Sequence, residues 1–299
     1  MSFSSSVKKE LSSIDLIPDC CLHAQAYGLV LFAHFSAFDI SVTTENEDTA
    51  AMYARSLAEE CGVNVTQDDG EGVKKTFFVP GTPNKNKVFE CFGHSPNDIA
   101  LRIIRSNLSE DCCVGSFLRG AFMACGTVTD PNKQYHLEFV VSHKKLCNDL
   151  IDLLSEHGLN PKYVLRKGYH IVYFKESENI EDLLTMMGAT ESSLQLMGIK
   201  MEKDVINRVN RRVNFEMSNI NKTIDAAGRQ AAAIAKIEET VGIDSLPENL
   251  REVARLRLEN PDISLSDLGH LLGDSLSRSG LNHRLSRLMS IADDLDNRE

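Results

Sequence analysis

The soft ligands and nucleophiles of this 299-residue chain are eight cysteines, Cys20, Cys21, Cys61, Cys91, Cys112, Cys113, Cys125 and Cys147. None forms the C-x-x-C knuckle of structural zinc sites, so the expectation is reduced thiols packed as small hydrophobes, with no metal and no cofactor. Asp39, Asp130 and Glu138 have the right chemistry for a hard cation but read as surface carboxylates. The basic residues are more suggestive. Arg208, Arg211 and Arg212 lie in Asn207-Arg208-Val209-Asn210-Arg211-Arg212-Val213-Asn214, and Arg278, His283, Arg284 and Arg287 fall in 275–290, a window without an acid. Arginine grips guanine through paired hydrogen bonds, asparagine grips adenine, and serine holds phosphate. Arg278, Ser279, Asn282, His283, Arg284, Arg287 and Ser264, with the arginines at 208, 211 and 212, are therefore the candidates for contact with double-stranded DNA.

The net charge of −11 does not advertise such a partner. It is distributed unevenly, with −9 over residues 1–199, +2 over 200–240 and −4 over 241–299. Contacts with phosphates need local clusters whatever the total. Hydrophobic residues at 42% and charged residues at 25% fit a globular chain. No apolar run reaches the roughly 18 residues of a membrane helix, and Met1 to Glu10 lacks a signal-peptide core. The expected place is the cytoplasm, in association with the nucleoid. The absence of Trp and the 6% aromatic content disfavour a carbohydrate-stacking module.

The elements that position these residues begin with an internal repeat. Asp19-Cys20-Cys21 returns as Asp111-Cys112-Cys113 and Gly28 as Gly120, all 92 positions on. Glu60-Cys61-Gly62-Val63-Asn64 pairs with Glu156-His157-Gly158-Leu159-Asn160 at an offset of 96. Hydrophobic periodicity predicts the same order in each half. The first half reads as a helix over 20–35, a strand over 38–42, a helix over 49–61 capped by Gly62, and strands at 63–65 and 75–79 around a turn at 68–72. A helix over 98–105 closes it. The second half reads as a helix over 113–125, a strand over 135–141, a helix over 144–157, strands near 162–166 and 169–174, and a helix over 179–187. Small residues four apart, Ala24 and Gly28, then Ser116, Gly120 and Ala124, would let the two leading helices approach closely. Lys85, Lys87, Lys133, Arg166 and Lys167 read as solvated loop positions in preference to a DNA face.

From 200 onward the pattern is wholly helical, with a connecting helix over 201–217 and a second over 219–238. Pro247-Glu248 starts the next and Asn260-Pro261 stops it. Ser264 caps a short helix over 265–272, Gly273-Asp274 turns the chain, and the last helix, about 277–292, puts Leu281, Leu285 and Leu288 on one face. This is the outline of a helix-turn-helix with its recognition helix last.

Ser116-Phe117-Leu118-Arg119-Gly120-Ala121-Phe122-Met123-Ala124-Cys125-Gly126 resembles the helix motif of LAGLIDADG homing endonucleases, with Ala26 to His34 as a more eroded copy. The resemblance implies two motif helices packed at a pseudo-twofold axis, antiparallel sheets forming a saddle for DNA, and a metal-binding acid in each half. The acid positions hold Ala33 and Cys125, a methyl group and a soft thiol that cannot support metal-dependent phosphodiester cleavage.

Together with Asn207 to Arg212, Asp225-Ala226-Ala227, Leu246 to Ala254 and Ser279-Gly280-Leu281-Asn282-His283-Arg284-Leu285, this makes the chain similar to the WhiA family over almost its whole length. The resemblance implies a bacterial, mainly Gram-positive, transcription regulator of sporulation and cell division, with a helix-turn-helix like that of sigma factors and a nuclease fold without its acids. The expected architecture is α+β. Residues 1–199 form a duplicated, degenerate LAGLIDADG-like domain with antiparallel sheets and repeats at about 19–106 and 111–188. Residues 200–218 form a linker helix, and 219–299 an all-α helix-turn-helix domain. The expected function is non-catalytic, with RNA polymerase or a co-regulator as a further partner and no membrane partner. An active nuclease and a scaffold without DNA contact are the competing readings.

Overall fold

In the computed structural model, which describes residues 2–15, 18–36, 39–68, 75–95, 98, 100–273 and 276–296, two helices begin at the repeated Asp-Cys-Cys. They are α2 (Asp19–Leu31) and α5 (Asp111–Cys125), and they cross in direct backbone contact at Gly28 and Gly120. Around them the first unit, Met1–Lys203, carries two four-stranded antiparallel sheets. One contains β1 (His34–Phe35), β2 (Ile40–Thr44), β3 (Thr66–Asp68) and β4 (Lys75–Phe78); the other contains β5 (Gly126–Val128), β6 (Leu137–Val141), β7 (Lys162–Arg166) and β8 (Tyr169–Phe174). Their orders, β1-β2-β4-β3 and β5-β6-β8-β7, are the same. The duplication read from the tripeptides is thus a duplication of topology.

Alternation sets the sheets. Leu137, Phe139 and Val141 of β6 are buried, with Phe139 opposite Val172 in the register. Helix α3 (Glu47–Cys61) is capped by Gly62 with φ of 58°, and α6 (Lys144–Glu156) is capped by His157 and followed by Gly158 with φ of 79°, both glycines in the left-handed conformation in which a side chain is strained. The Gly62 cap and its Gly158 counterpart are therefore as the sequence indicated.

Several boundaries differ. The helix closing the first half is α4 (Thr82–Cys91), matching α7 (Ser177–Met187) in the second. The one expected over 98–105 is absent among the described residues, where Asp98 accepts from the Ser95 N–H and a 3-10 turn follows at Arg105–Asn107. Pro83 at the start of α4 was the missed signal. Lys85 and Lys87 are accordingly helical, and donate to the Ser36 and Gly62 carbonyls at 2.6 and 3.1 Å. The first motif helix stops at Leu31, with His34–Phe35 as an edge strand, and the strand expected at 63–65 lies at Thr66–Asp68. Most of the 68–72 turn falls outside the described residues.

Besides α4 and β1, two further α-helices or strands among the described residues were not anticipated. One is β5. The other is α1 (Phe3–Ser12), capped by Ser2, which buries Val7 and Leu11 in the core and offers the Glu10 carboxylate to the backbone N–H groups of Glu191 and Ser192 at 2.7 and 3.0 Å.

The connecting helix and the one after it are a single α8 (Thr190–Thr240), which begins in the first unit and continues into the second, Asp204–Glu299. No proline interrupts 190–240, and the weak helix formers Ser218 and Asn219 do not break it. Its apolar positions Val205, Val209, Val213 and Ile220 are exposed. In the second unit α9 (Glu248–Glu259), α10 (Leu265–Leu271) and α11 (Arg278–Asp296) gather a separate core with Ile234 and Ile237 of α8. Among the described residues no helix is long and apolar enough to cross a membrane.

Candidate nucleic-acid interface

In α11, Leu281, Leu285 and Leu288 are fully buried against α9 and α10, as their spacing requires. Arg278, in its first turn, and Ser279, Asn282, His283 and Arg287, spread around the rest of its circumference, are exposed, and among the described residues none of the exposed large hydrophobic ones lies on this helix. Arg287 makes no ion pair with Asp293 or Asp294 among the described residues. Arg284 differs. It is half-buried and donates to the Asn249 carbonyl at 2.9 Å, which ties α11 to the start of α9. Ser264 also has structural work, since its hydroxyl accepts from the Asp267 N–H at 3.2 Å and donates to the Asp267 carboxylate at 2.7 Å, closing the cap of α10.

A groove of about 620 Å³ lies where α8, α10 and the start of α11 meet. Arg278, Lys222 and Arg257 line it, with Gln230, Ser264 and Ser266. Arg257 is 1% exposed and has no carboxylate partner among the described residues. One of its amino groups donates to the Asn260 and Ile263 carbonyls, while Nε is unpaired, as is Oε1 of the buried Gln230. Burial pulls the Arg257 pKa down, because desolvation penalises the cation. A buried uncompensated guanidinium is costly unless an anion meets it. The sequence hid Arg257, Lys222 and Gln230 because they come from two helices far apart in the chain and lie outside the acid-free window.

Arg208, Arg211 and Arg212 are exposed on α8; Arg212 pairs with Glu216 at 3.0 Å, four residues on, an arrangement worth a few tenths of a kcal/mol. They do not line the groove.

At the carboxy ends of α2 and α5, Ala33 and Cys125 stand where the nuclease motif would place acids. Lys8 of α1 sits beside Cys125, donating to the Met123 carbonyl at 3.0 Å with its ammonium 5.8 Å from the centre of the Phe122 ring. Burial lowers the Lys8 pKa to about 8 and raises the Cys125 thiol to about 12. Asp130 and Glu138 do not converge on this end as ligands. Asp130 accepts from the Asn132 backbone at 2.9 Å, and Glu138 from His136 and Arg166 at 3.0 and 3.1 Å. Arg166 and the positive-φ Lys167 belong to the β7–β8 hairpin.

The model of the WhiA C-terminal HTH domain matches residues 209–292, and that of the WhiA LAGLIDADG-like domain matches 114–206. A probable cell division protein WhiA from Alkaliphilus metalliredigens is 37% identical over 98% of both chains. The chain belongs to the WhiA family. A relative of the same name from Ruminiclostridium cellulolyticum is 38% identical over 98% of this chain and 97% of its own. The crystal structure of a full-length WhiA from Thermotoga maritima has the same fold, with a TM-score of 0.60 at 23% identity over 98% of this chain and 99% of that one. The helix-turn-helix match ends at Ala292, short of the Asp296 end of α11, and includes the groove and the exposed Arg278, Ser279, Asn282, His283 and Arg287.

Proposed function

We propose that the chain is a non-catalytic, sequence-specific DNA-binding regulator of transcription, acting in cell division and sporulation as its relatives' names suggest for the former, with α11 entering a major groove. The observation that carries this reading is that α11 buries Leu281, Leu285 and Leu288 while Arg278, Ser279, Asn282, His283 and Arg287 stay exposed. Recognition helices present such side chains to base edges near their amino end. Arg278, Ser279 and Asn282 then read bases, and Arg287 with the groove cation Lys222 meets phosphates. Arg284 and Ser264 hold the frame. Arg208, Arg211 and Arg212 are accessory phosphate contacts, and RNA polymerase or a co-regulator is a further partner.

The scaffold reading asks for an apolar patch on α11, where among the described residues no exposed large hydrophobic one stands. The nuclease reading asks for a divalent cation at the motif ends, where Lys8 already brings positive charge beside Cys125. Genome-wide mapping of bound DNA, followed by binding to a recovered duplex and a scrambled one, tests the proposal. Equal affinity for both would end the sequence-specific reading. Stoichiometric Mg²⁺-dependent cutting by highly purified protein, abolished by Asp130→Asn, would end the non-catalytic one.

A further inference from the structure

The amino ends of α2 and α5 hold a constellation that the motif ends do not. Because the helices touch at equivalent glycines, their first turns meet, and Sγ of Cys20 lies 3.9 Å from Sγ of Cys112. The surrounding contacts are reciprocal. The Cys21 thiol approaches the Cys112 carbonyl at 3.8 Å, and the Cys113 thiol approaches the Cys20 carbonyl at 3.6 Å. Sγ atoms of Cys20, Cys112 and Cys113 all lie within 4.8 Å of one another, and the Cys21 thiol adjoins those of Cys20 and Cys112.

We propose that this is a zinc site, with Cys20, Cys112 and Cys113 as three thiolate ligands and Cys21 as the fourth, joining the two repeats across their pseudo-twofold axis. A tetrahedral zinc–thiolate centre with bonds of about 2.3 Å has sulfurs about 3.8 Å apart. The Cys20–Cys112 separation is of that size, nearly twice the roughly 2.05 Å of a disulfide. Soft thiolates select zinc over magnesium or calcium. Two helix amino ends face the sulfurs, and such ends favour thiolates. The centre would carry a net charge of about −2, since zinc displaces the thiol protons. Arg119 supplies compensating charge. It is buried, its donors go to the Met187 carbonyl and the Gln25 side-chain oxygen at 2.7 and 3.2 Å, and its charge acts on Cys21. Exposed Cys112 and half-buried Cys20 leave a route for the ion, while Cys113 is sealed in the core. The site stands at the opposite end of the helix pair from Ala33 and Cys125, so it would hold the repeats together without offering a metal to a phosphodiester. It also explains why a search for C-x-x-C finds nothing, because the ligands are two adjacent pairs from separate helices.

The full-length protein, expressed with zinc and purified under reductant without chelator, should contain one zinc per chain by elemental mass spectrometry. Stripped and titrated with Co²⁺, it should develop thiolate-to-cobalt charge-transfer absorption and the visible bands of a tetrahedral ion. Cys112→Ser, chosen because that side chain is exposed, should weaken Co²⁺ binding by about a hundredfold or more, whereas Cys91→Ser should leave the spectrum unchanged. Folded, reduced wild-type protein that retains no zinc and gives no charge-transfer band would overturn the proposal, whatever the variants do. Ready formation of a Cys20–Cys112 disulfide by a chain that takes up no metal would also overturn it and assign the cluster to redox chemistry.

Discussion

Gly28 and Gly120 seat each other's helices by the same contact taken twice. A Cβ on Gly28 would collide with the Phe117 carbonyl oxygen and reach the Ala121 nitrogen at 3.0 Å; a Cβ on Gly120 would collide with the Gln25 carbonyl oxygen and reach the Leu29 nitrogen at 2.8 Å. Phe117 and Ala121 are Gln25 and Leu29 advanced by the same 92 positions that relate the glycines. The atoms in the way are backbone, which cannot swing aside as a side chain can. Gly120→Ala is therefore expected to destabilise the first unit by about 1 to 3 kcal/mol or more, although alanine is the better helix former by roughly 1 kcal/mol. Gly198→Ala, an exposed helical position in α8 with open space around its Cβ, should be neutral or slightly stabilising. Thermal melts of the two variants decide this; equal midpoints would show that the helices are not in backbone contact.

Lys8 carries a pH signature. Its pKa in the fold is about 8 against 10.5 for the unfolded chain, because its half-buried ammonium loses solvent against the core. Between those values the unfolded chain binds the extra proton, so this group's contribution to stability rises with pH. Below pH 8 the half-buried ammonium carries its full penalty, of which about 3 kcal/mol is the upper limit at 1.36 kcal/mol per pH unit. In denaturant titrations, wild-type stability minus that of Lys8→Met should climb between pH 8 and pH 10.5. A difference that stays flat across that window would mean that Lys8 is not desolvated beside Cys125.

On the proposed reading, the exposed residues of α11 divide into reading and positioning. At roughly 100° per residue, Asn282 lies about 40° around the helix from Arg278, and Arg287 about 180°. Asn282→Ala should cost roughly 1 to 3 kcal/mol on the preferred duplex and relax its sequence preference. Arg287→Ala should weaken all duplexes alike. Arg284→Ala should instead lower the melting temperature, through loss of a hydrogen bond worth about 1 kcal/mol to the Asn249 carbonyl. Binding isotherms on two duplexes beside melting curves separate the three; an Asn282→Ala loss that merely tracks stability would remove it from the reading set.

DNA affinity should fall with salt although the chain is acidic, because the contacts are local. Arg287 and Lys222 with one or two of the accessory arginines on α8 make three or four phosphate contacts, which at about −0.9 each give a log–log slope near −3. Arg287→Ala or Lys222→Ala should each flatten it by about one. A slope near zero in the wild type would favour the scaffold reading.

Local chemistry written in the chain determined much of this protein. Glycines with no Cβ marked the helix crossing and the helix ends at 62 and 158, Pro247 and Asn260-Pro261 bounded α9, Ser264 with Asp267 capped α10, and the Leu281–Leu285–Leu288 spacing aimed α11. These are properties of backbone conformation and helical period, which a short stretch of sequence expresses by itself. What the tertiary structure alone decided involves groups from distant segments. Apolar spacing at Val205, Val209 and Val213 could not say that the stripe stays uncovered. Arg257 gave no sign that its guanidinium would be buried without a counter-ion beside Gln230, or Lys8 that it would lie next to Cys125. The adjacent cysteines gave the least sign of all. Only the backbone contact at Gly28 and Gly120, which aligns two helices starting 92 residues apart, brings Cys20 to Cys112, because a thiol's neighbours are set by where helices cross and not by what stands beside it in the chain.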